Sequence, residues 1–361
     1  MKYIERIDEI IKNVNKNLID LSIKRKKRPA PSQVSSEFLT NKEQGDWAEQ
    51  TFIQGINNFS KNYVAVKYGR DEDIIAGEAG FEEFYENYQK ELDAVGKRPD
   101  VLIFEKKDFP YETYNISHFD LEKLNNLVPK AKCGVEVRSS SFLIDKYNSF
   151  MKMNHLTSTD NILKIKSIIL SHFSELLKKK DCELFKIVSQ IDKDNMHVLS
   201  YRTPSWRSSE ELTELSRLLK EMKQNLSDIQ KRSFLSITPK VEDLKVVYNW
   251  INKYNVPHYY LQVFFDKAYG ISYEDILNLI CNEDLEGKDY FIESDVKNQN
   301  KTTIKIKADR GKNILSKIEI PNHTSKMKEL GRGRLLFYVT FKNSVVTINK
   351  EEFNKLFGFE I

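Results

Sequence analysis

The 361-residue sequence contains only three cysteines, and their positions form no recognisable site. Cys133, Cys182 and Cys281 are far apart in the chain and never occur in a Cys-x-x-Cys spacing. A disulfide framework needs an even set of cysteines, and a structural zinc site needs closely spaced ligands. The pattern therefore argues against both and predicts reduced thiols that are buried or inert.

Long apolar runs are also missing from the sequence. No window approaches the roughly 18 consecutive apolar residues that a membrane-spanning helix requires. The first residues, "MKYIERIDEIIKNVNKNLIDLSI", interleave isoleucines with charged residues, which is typical of an amphipathic helix and not of a secretion signal. We therefore expect a cytoplasmic protein with no membrane partner.

The motifs of two large enzyme classes are absent. The stretch "GRDEDIIAGEAG" lacks the Gly-Lys ending of a phosphate-binding loop, so nothing indicates a nucleotide-driven motor. The six histidines are dispersed and include no His-Glu-x-x-His motif, which argues against a zinc hydrolase.

Charge is abundant but nearly balanced. The 57 Lys and Arg residues outnumber the 53 Asp and Glu residues, giving a net charge of +4. A chain of this length can bury a sizeable core in one large domain or two smaller ones. The small positive surplus fits nucleic-acid binding without establishing it.

Composition and periodicity divide the chain into distinct regions. Residues 1–35 predict a helix and a basic arm, "SIKRKKRPAPSQ", which is either a solvated connector or a DNA-contacting arm. Residues 36–150 and 236–285 combine helices with buried strands and predict the core. Residues 151–235 are lysine-rich and mainly helical, which indicates an insertion; the pattern alone does not define its role, and DNA recognition is the candidate. Residues 286–361 are rich in short strands, for which DNA contacts or dimerisation are the expected roles.

Local signals predict element boundaries within these regions. Thr40 and Glu43 have the spacing of a capping box at the start of a helix. Thr238 as N-cap and Pro239 as first residue predict another helix, which feeds the buried strand "YYLQVFF". Such a unit is half of a crossover connection and implies an α/β sheet. The stretch "VTFKNSVVTI" predicts a hairpin that turns at residues 342–344.

Two short stretches place carboxylates beside strand-forming residues. In "KRPDVLIFEKK", Asp100 directly precedes a buried strand, and in "CGVEVRSSSF", Glu136 and Arg138 share one strand face because side chains alternate. If the two strands are neighbours, Asp100 and Glu136 can converge on a cation such as Mg²⁺, which prefers hard oxygen ligands. Such an ion generates a hydroxide nucleophile, and Arg138 stabilises the developing charge. Otherwise the carboxylates are ordinary polar ends of two strands.

A Pro-Asp ending at Asp100, followed by Glu-Val-Arg from Glu136 to Arg138, resembles the signature of the PD-(D/E)XK nuclease superfamily. With "QGDWAE" and "TPKVEDLKVVYNWI" added, the chain is most similar to type II restriction endonucleases of the AccI type. The resemblance implies an α/β fold with a restriction-endonuclease-like mixed β-sheet core flanked by helices, in which Asp100 and Glu136 bind Mg²⁺. Many relatives also carry an acidic residue on an early helix that faces the site. Glu49 is the candidate here, the alternative being a solvated helix carboxylate.

One position departs from the family pattern. Relatives usually have lysine where this chain has Arg138, and a guanidinium is effectively never deprotonated in proteins. Either Arg138 performs the electrostatic part of the lysine's role, or a lysine from elsewhere supplies the ammonium. Lys146 and Lys240 are the candidates for that second explanation.

The resemblance implies a type II restriction endonuclease that hydrolyses phosphodiester bonds of double-stranded DNA at a short, palindromic site. A two-fold DNA site is most simply met by a homodimer, and a cognate DNA methyltransferase is the implied separate partner. Lys240, Arg332 and Arg334 are the expected DNA contacts, the two arginines lying in "GRGR". Two alternatives are a non-catalytic DNA-binding protein with a degenerate nuclease fold, which Arg138 favours, and a structure-specific repair nuclease.

Overall fold

The computed structural model describes residues 1–23, 25, 27, 29–70, 74–295 and 301–361, without the side chains of Asp295, Lys301 and Arg332. The helices in this part of the chain are α1 Tyr3–Ile11, α2 Ser36–Phe59, α3 Phe81–Ala94, α4 Leu121–Leu127, α5 Ile144–His172, α6 Ser174–Lys180, α7 Cys182–Gln190, α8 Glu210–Gln230, α9 Val241–Tyr254, α10 Tyr273–Cys281 and α11 Lys350–Phe357. No helix within these ranges is both long enough and apolar enough to cross a membrane.

The strands are shorter than the helices and are concentrated outside the central helical region. They are β1 Tyr63–Lys67, β2 Val101–Glu105, β3 Cys133–Ser139, β4 Ser236–Ile237, β5 His258–Val263, β6 Ala268–Ser272, β7 Tyr290–Asp295, β8 Lys301–Lys307, β9 Lys312–Ile318, β10 Asn322–Leu330, β11 Arg334–Lys342 and β12 Val346–Ile348.

The chain forms two compact units. The first consists of Met1–Ile144 and Ser236–Ile361, and the second of Asp145–Leu235. The second unit has its own buried core, which includes Ile162, Leu177 and Leu215. Each unit therefore contains a set of buried apolar contacts of its own.

The main sheet of the first unit has seven strands in the order β1-β2-β3-β5-β6-β9-β12. Neighbouring strands are antiparallel except for β3 and β5, which are parallel. A parallel pair requires a crossover connection, and α9 is the helix that leads into β5. The predicted α/β class, the mixed sheet and its flanking helices are confirmed.

Helices cover both faces of this sheet. On one face, Phe52 and Ile56 of α2 join Val135 of β3 in a buried cluster. On the other face, Leu244 of α9 and Leu102 of β2 belong to a second buried cluster. Because side chains alternate along a strand, Glu136 is directed away from the cluster that contains Val135 and α2.

Helix α2 begins earlier than the sequence predicts. Thr40 and Glu43 lie inside the helix, which starts at Ser36, so the expected capping box is wrong. The physical reason is a better N-cap upstream, where the side chain of Ser35 accepts a hydrogen bond from the backbone N–H of Phe38.

Helix α9 begins later than predicted. Thr238 is not its N-cap and Pro239 is not its first residue, because the helix starts at Val241 with Lys240 at the N-cap. The preceding backbone is engaged with β8, where the Pro239 carbonyl accepts a hydrogen bond from the N–H of Ile304. Strand pairing thus competes successfully with helix extension.

The predicted hairpin at residues 342–344 is also wrong. Strand β11 pairs along its whole length with β10, through the tight connection Gly331–Gly333, while β12 pairs with β9 at the edge of the main sheet. A short connection between β10 and β11 favours their pairing. The resulting two-stranded ribbon, β10 with β11, exposes Met327 and Phe337.

Candidate active site

The two strands that carry the conspicuous carboxylates are neighbours. β2 and β3 are antiparallel, with Val101 opposite Val135. Asp100 immediately precedes β2, and its Oδ2 atom accepts a hydrogen bond of 2.7 Å from the backbone N–H of Val137. Asp100 and Glu136 therefore lie at the same point of the sheet.

The position of Asp100 is fixed through its backbone. Its carbonyl oxygen accepts hydrogen bonds from the N–H groups of Tyr68 and Gly69, at 2.8 and 2.9 Å. A Cβ atom at Gly69 would lie 3.0 Å from the Asp100 Cα atom and 3.2 Å from its Oδ1 atom. Glycine at this position lets the two backbones approach closely.

Glu136 is almost completely buried, with only 1% of its surface exposed. Its Oε1 atom lies 2.5 Å from the Lys97 ammonium and 2.8 Å from Nη2 of Arg138. Its Oε2 atom is buried and has no hydrogen-bond partner among the described residues. A buried carboxylate oxygen without a partner is costly, so this atom is available to accept a hydrogen bond or to coordinate a cation.

The same two cations meet a second carboxylate. Asp243, in the first turn of α9, has its Oδ2 atom 3.0 Å from Lys97 Nζ and 2.8 Å from Arg138 Nη2. Lys97, Glu136, Arg138 and Asp243 thus form one network, which we call the charge cluster. The sequence analysis does not predict Lys97 or Asp243 as residues of the site. The signal that could have indicated Lys97 is its position directly before "RPD".

Glycine also explains how Lys97 reaches the cluster. Gly96 has a φ of +90°, and a Cβ atom there would collide with the Val246 carbonyl and lie 2.6 Å from the Trp250 nitrogen. The chain therefore passes directly against α9, and the Lys97 N–H donates a hydrogen bond of 2.9 Å to Val246. The helix that carries Asp243 also anchors the backbone of Lys97.

Burial and mutual repulsion perturb two carboxylates at the site. Burial, and then the charge of Glu136, raise the pKa of Asp100 to about 7. Burial, and then the charge of Asp100, raise the pKa of Glu49 well above its ordinary value. The charge of Asp100 therefore acts on Glu49 of α2.

Within the charge cluster, neighbouring opposite charges favour the charged forms of Asp243 and Arg138. Burial raises the pKa of Asp243, but Lys97 and then Arg138 lower it more, so it lies well below its ordinary value. Burial lowers the pKa of Arg138, yet Glu136 and Asp243 more than offset it. Asp243 and Arg138 therefore keep their charges at neutral pH.

Comparison with known proteins decides which class of protein carries this site. A family model described as AccI restriction endonuclease matches residues 1–361. The chain belongs to that family. No curated protein and no solved structure was found to match it. An AccI restriction endonuclease is a type II restriction enzyme, a site-specific endonuclease that acts on DNA by hydrolysis.

The carboxylates of Asp100 and Glu136 are chemically suited to a hard divalent cation. The residues that the structure describes include no group of three or more His, Cys, Asp or Glu side chains placed to hold a metal. Mg²⁺ does not need such a group, because it keeps several waters and binds through one or two carboxylates together with substrate phosphates. Asp100 and the unpartnered Oε2 atom of Glu136 provide that smaller set of oxygens.

The remaining predicted residues, which are the alternative lysines and the DNA contacts, lie in different elements. Lys240 is the N-cap of α9, and its charge helps to lower the pKa of Asp243. Lys146 is an exposed residue of α5 in the second unit. Arg334 is exposed on the ribbon and donates a hydrogen bond of 2.6 Å to Gln33. The side chain of Arg332 lies outside the described residues.

The raised pKa of Asp100 predicts a pH-dependent stability. An Asp has an ordinary pKa of 3.8, so the folded protein holds this proton more tightly, and the resulting stability is present below pH 3.8 and lost as pH rises through about 7. Asp100→Asn stays neutral and should exceed the wild type in unfolding free energy by on the order of 2 kcal/mol at pH 8. Urea denaturation in EDTA across pH 5 to 8 measures this difference.

Asp243→Asn is the matched control, because this neighbouring carboxylate has a lowered pKa. Its charge stabilises the fold above pH 3.8, and that contribution is lost as pH falls through its folded-state pKa. The variant should therefore be less stable than the wild type at pH 8. Equal destabilisation by both substitutions would contradict the assigned repulsion at Asp100.

Proposed function

We propose that this AccI-family protein is a Mg²⁺-dependent restriction endonuclease that cleaves both strands of a short, palindromic duplex site. The observation that carries the proposal is the meeting of Asp100 with Glu136, whose buried Oε2 atom has no partner among the described residues. This pair of carboxylates provides the oxygen ligands that Mg²⁺ prefers.

The chain's own residues take distinct roles in this proposal. Asp100 and Glu136 would hold the ion, and Glu49, whose pKa the charge of Asp100 helps to raise, is proposed as a further catalytic carboxylate. When bound, Mg²⁺ supplies an activated water and charge neutralisation at the phosphate. Arg138 keeps its proton and stabilises charge on the phosphate oxygens; its buried Nε atom is a donor without a described partner.

DNA contacts are proposed at several places outside this centre. Lys240 at the start of α9 and Arg332 and Arg334 at the turn of the ribbon are suited to phosphate or guanine contacts. The helical residues 151–235 are proposed to take part in base recognition. Residues 286–361 are proposed for DNA contacts or dimerisation, and the exposed Phe337 of the ribbon supports a contact surface.

Assembly and biology complete the proposal. A palindromic site presents the same groups twice, so a homodimer with one active site for each strand is the simplest match. A site-specific nuclease also endangers the DNA of its own cell. We therefore propose a separate cognate DNA methyltransferase that modifies the same site.

Cleavage of plasmid DNA tests the proposed function. Purified protein and unmethylated plasmid should give discrete fragments with Mg²⁺ and none in EDTA. DNA binding without cleavage under any divalent metal would favour the non-catalytic alternative. Degradation without discrete fragments would favour a structure-specific nuclease.

A further inference from the structure

Two cations, Lys97 and Arg138, contact the same carboxylate oxygens of the charge cluster. The question for each is which N–H donors remain available for a substrate. Lys97 Nζ and Arg138 Nη2 both contact Glu136 Oε1 and Asp243 Oδ2. A lysine ammonium has three rotatable N–H donors. Two of them satisfy the carboxylates of Glu136 and Asp243, which leaves the third for another acceptor.

The position of Lys97 suits a substrate phosphate. Its side chain is only 17% exposed and points into the site instead of into solvent. It occupies the Oε1 side of Glu136, whereas Oε2 of the same carboxylate has no partner in the described part of the chain. The two oxygens of one carboxylate are close together, so the ammonium lies beside any group bound at Oε2.

We propose that the ammonium of Lys97 is the catalytic ammonium of this site. Asp243 is a positioning residue that holds Lys97 beside Arg138. This inference rests on the proposed nuclease function. It resolves the departure at Arg138 differently from the sequence candidates Lys146 and Lys240. The missing lysine is supplied by the segment that precedes Asp100.

The chemical step is ordinary phosphodiester hydrolysis. A water oxygen attacks phosphorus and loses a proton to solvent, and one phosphorus–oxygen ester bond breaks. The leaving oxygen keeps the bonding electron pair and takes up a proton. Lys97 remains protonated throughout and donates a hydrogen bond to a non-bridging phosphate oxygen, on which negative charge accumulates in the transition state.

Lys97→Met is the central test, measured as the single-turnover rate of plasmid cleavage with enzyme in excess. Loss of one preorganised donor to transition-state charge should lower the rate by about 10²- to 10³-fold. DNA affinity without Mg²⁺ should change by no more than about threefold, because the contact strengthens only in the transition state.

Arg98→Met is the matched control for structural damage. Arg98 is adjacent to Lys97, and its side chain is 9% exposed and pairs with Glu91, which also contacts Arg70. The control removes a buried cation from the same segment without touching the charge cluster. It should destabilise the protein while keeping the cleavage rate within about threefold of wild type.

A second-site rescue separates a catalytic role from a structural one. Arg138→Lys in the Lys97→Met background places an ammonium near the same two carboxylates and should recover at least about tenfold in rate. Asp243→Asn should slow cleavage by itself. Combined with Lys97→Met, it should add less than the product of the two single effects, because the residues act together.

Asp100→Asn makes the possible failures distinguishable. If Lys97→Met cleaves at nearly the wild-type rate while Asp100→Asn is inactive, the role of Lys97 is wrong and the proposed function stands. If Asp100→Asn also cleaves normally, the proposed metal site is wrong. Equal rate losses in Lys97→Met and Arg98→Met, or no recovery with Arg138→Lys, would assign Lys97 a structural role.

Discussion

Asp100→Asn and Glu136→Gln are each expected to lower the rate of DNA cleavage by at least about 10³-fold. Both substitutions keep the size of the side chain and remove the negative charge that a divalent cation requires. DNA affinity in the absence of Mg²⁺ should be unchanged or higher, since each variant carries one negative charge less near the phosphates. Plasmid cleavage and a gel-shift titration measure the two quantities.

Glu105→Gln provides the control for these substitutions. Glu105 lies at the opposite end of β2 from Asp100 and pairs with Lys107 and Lys132. It is a partly exposed carboxylate on the same strand without a place in the charge cluster. Its replacement should leave cleavage within about twofold of wild type. Normal cutting by Asp100→Asn or Glu136→Gln would show that the metal is held elsewhere.

Gly96→Ala is expected to destabilise the protein by about 3 kcal/mol or more. The new methyl group meets both an unfavourable backbone conformation, at φ +90°, and the backbone of α9 at Val246 and Trp250. Folded molecules should also lose most of their cleavage activity, because the segment that carries Lys97 is pushed away from α9. Urea denaturation and the cleavage rate per folded molecule report the two effects.

Gly287→Ala separates backbone strain from collision. Gly287 has a similar φ of +80°, but a Cβ atom there meets nothing within 4 Å. Its replacement should cost only about 1 kcal/mol and leave cleavage intact. If Gly96→Ala were as mild as Gly287→Ala, the close passage against α9 would not matter for stability or for the site.

The sequence pattern predicts those features of the site that depend on local structure, which are the strand positions of Asp100, Glu136 and Arg138. Alternation along a strand put Glu136 and Arg138 on one face, and an apolar run placed Asp100 at a strand end. Whether β2 and β3 lie side by side is a matter of sheet topology. Alternation of side chains along each strand does not determine whether the strands are neighbours. The pairing of Val101 with Val135 in the structure shows that they are.

The charge cluster could not be derived from the sequence. Lys97 and Asp243 are 146 residues apart, and their contact depends on a glycine conformation and on the passage of one loop across α9. In the sequence, Asp243 has the features of an ordinary acidic residue in the first turn of a helix. A negative charge there interacts favourably with the positive end of the helix dipole. Sequence patterns indicate local preferences for helix, strand or turn. The contact between Lys97 and Asp243 depends instead on tertiary packing.

Two boundary errors arise from competing strand pairing. Thr238 and Pro239 have good helix-starting chemistry, but pairing of this backbone with β8 takes precedence. The stretch around residues 342–344 has the appearance of a hairpin, yet its flanking strands pair with β10 and β9. At Thr238 and Pro239 a strand distant in sequence overrides a local preference, whereas at residues 342–344 the shorter connection between β10 and β11 gives the competing hairpin.

During synthesis, β3 leaves the ribosome long before β5, and the whole second unit is made between them. A nascent chain at that stage contains Lys97 and Glu136 but neither Asp243 nor the parallel neighbour of β3. Pairing of strands so distant in sequence waits for the later residues and is intrinsically slow. Chains that end before Asp243 and β5 should therefore be unable to cut, which delays nuclease activity until these residues have been made.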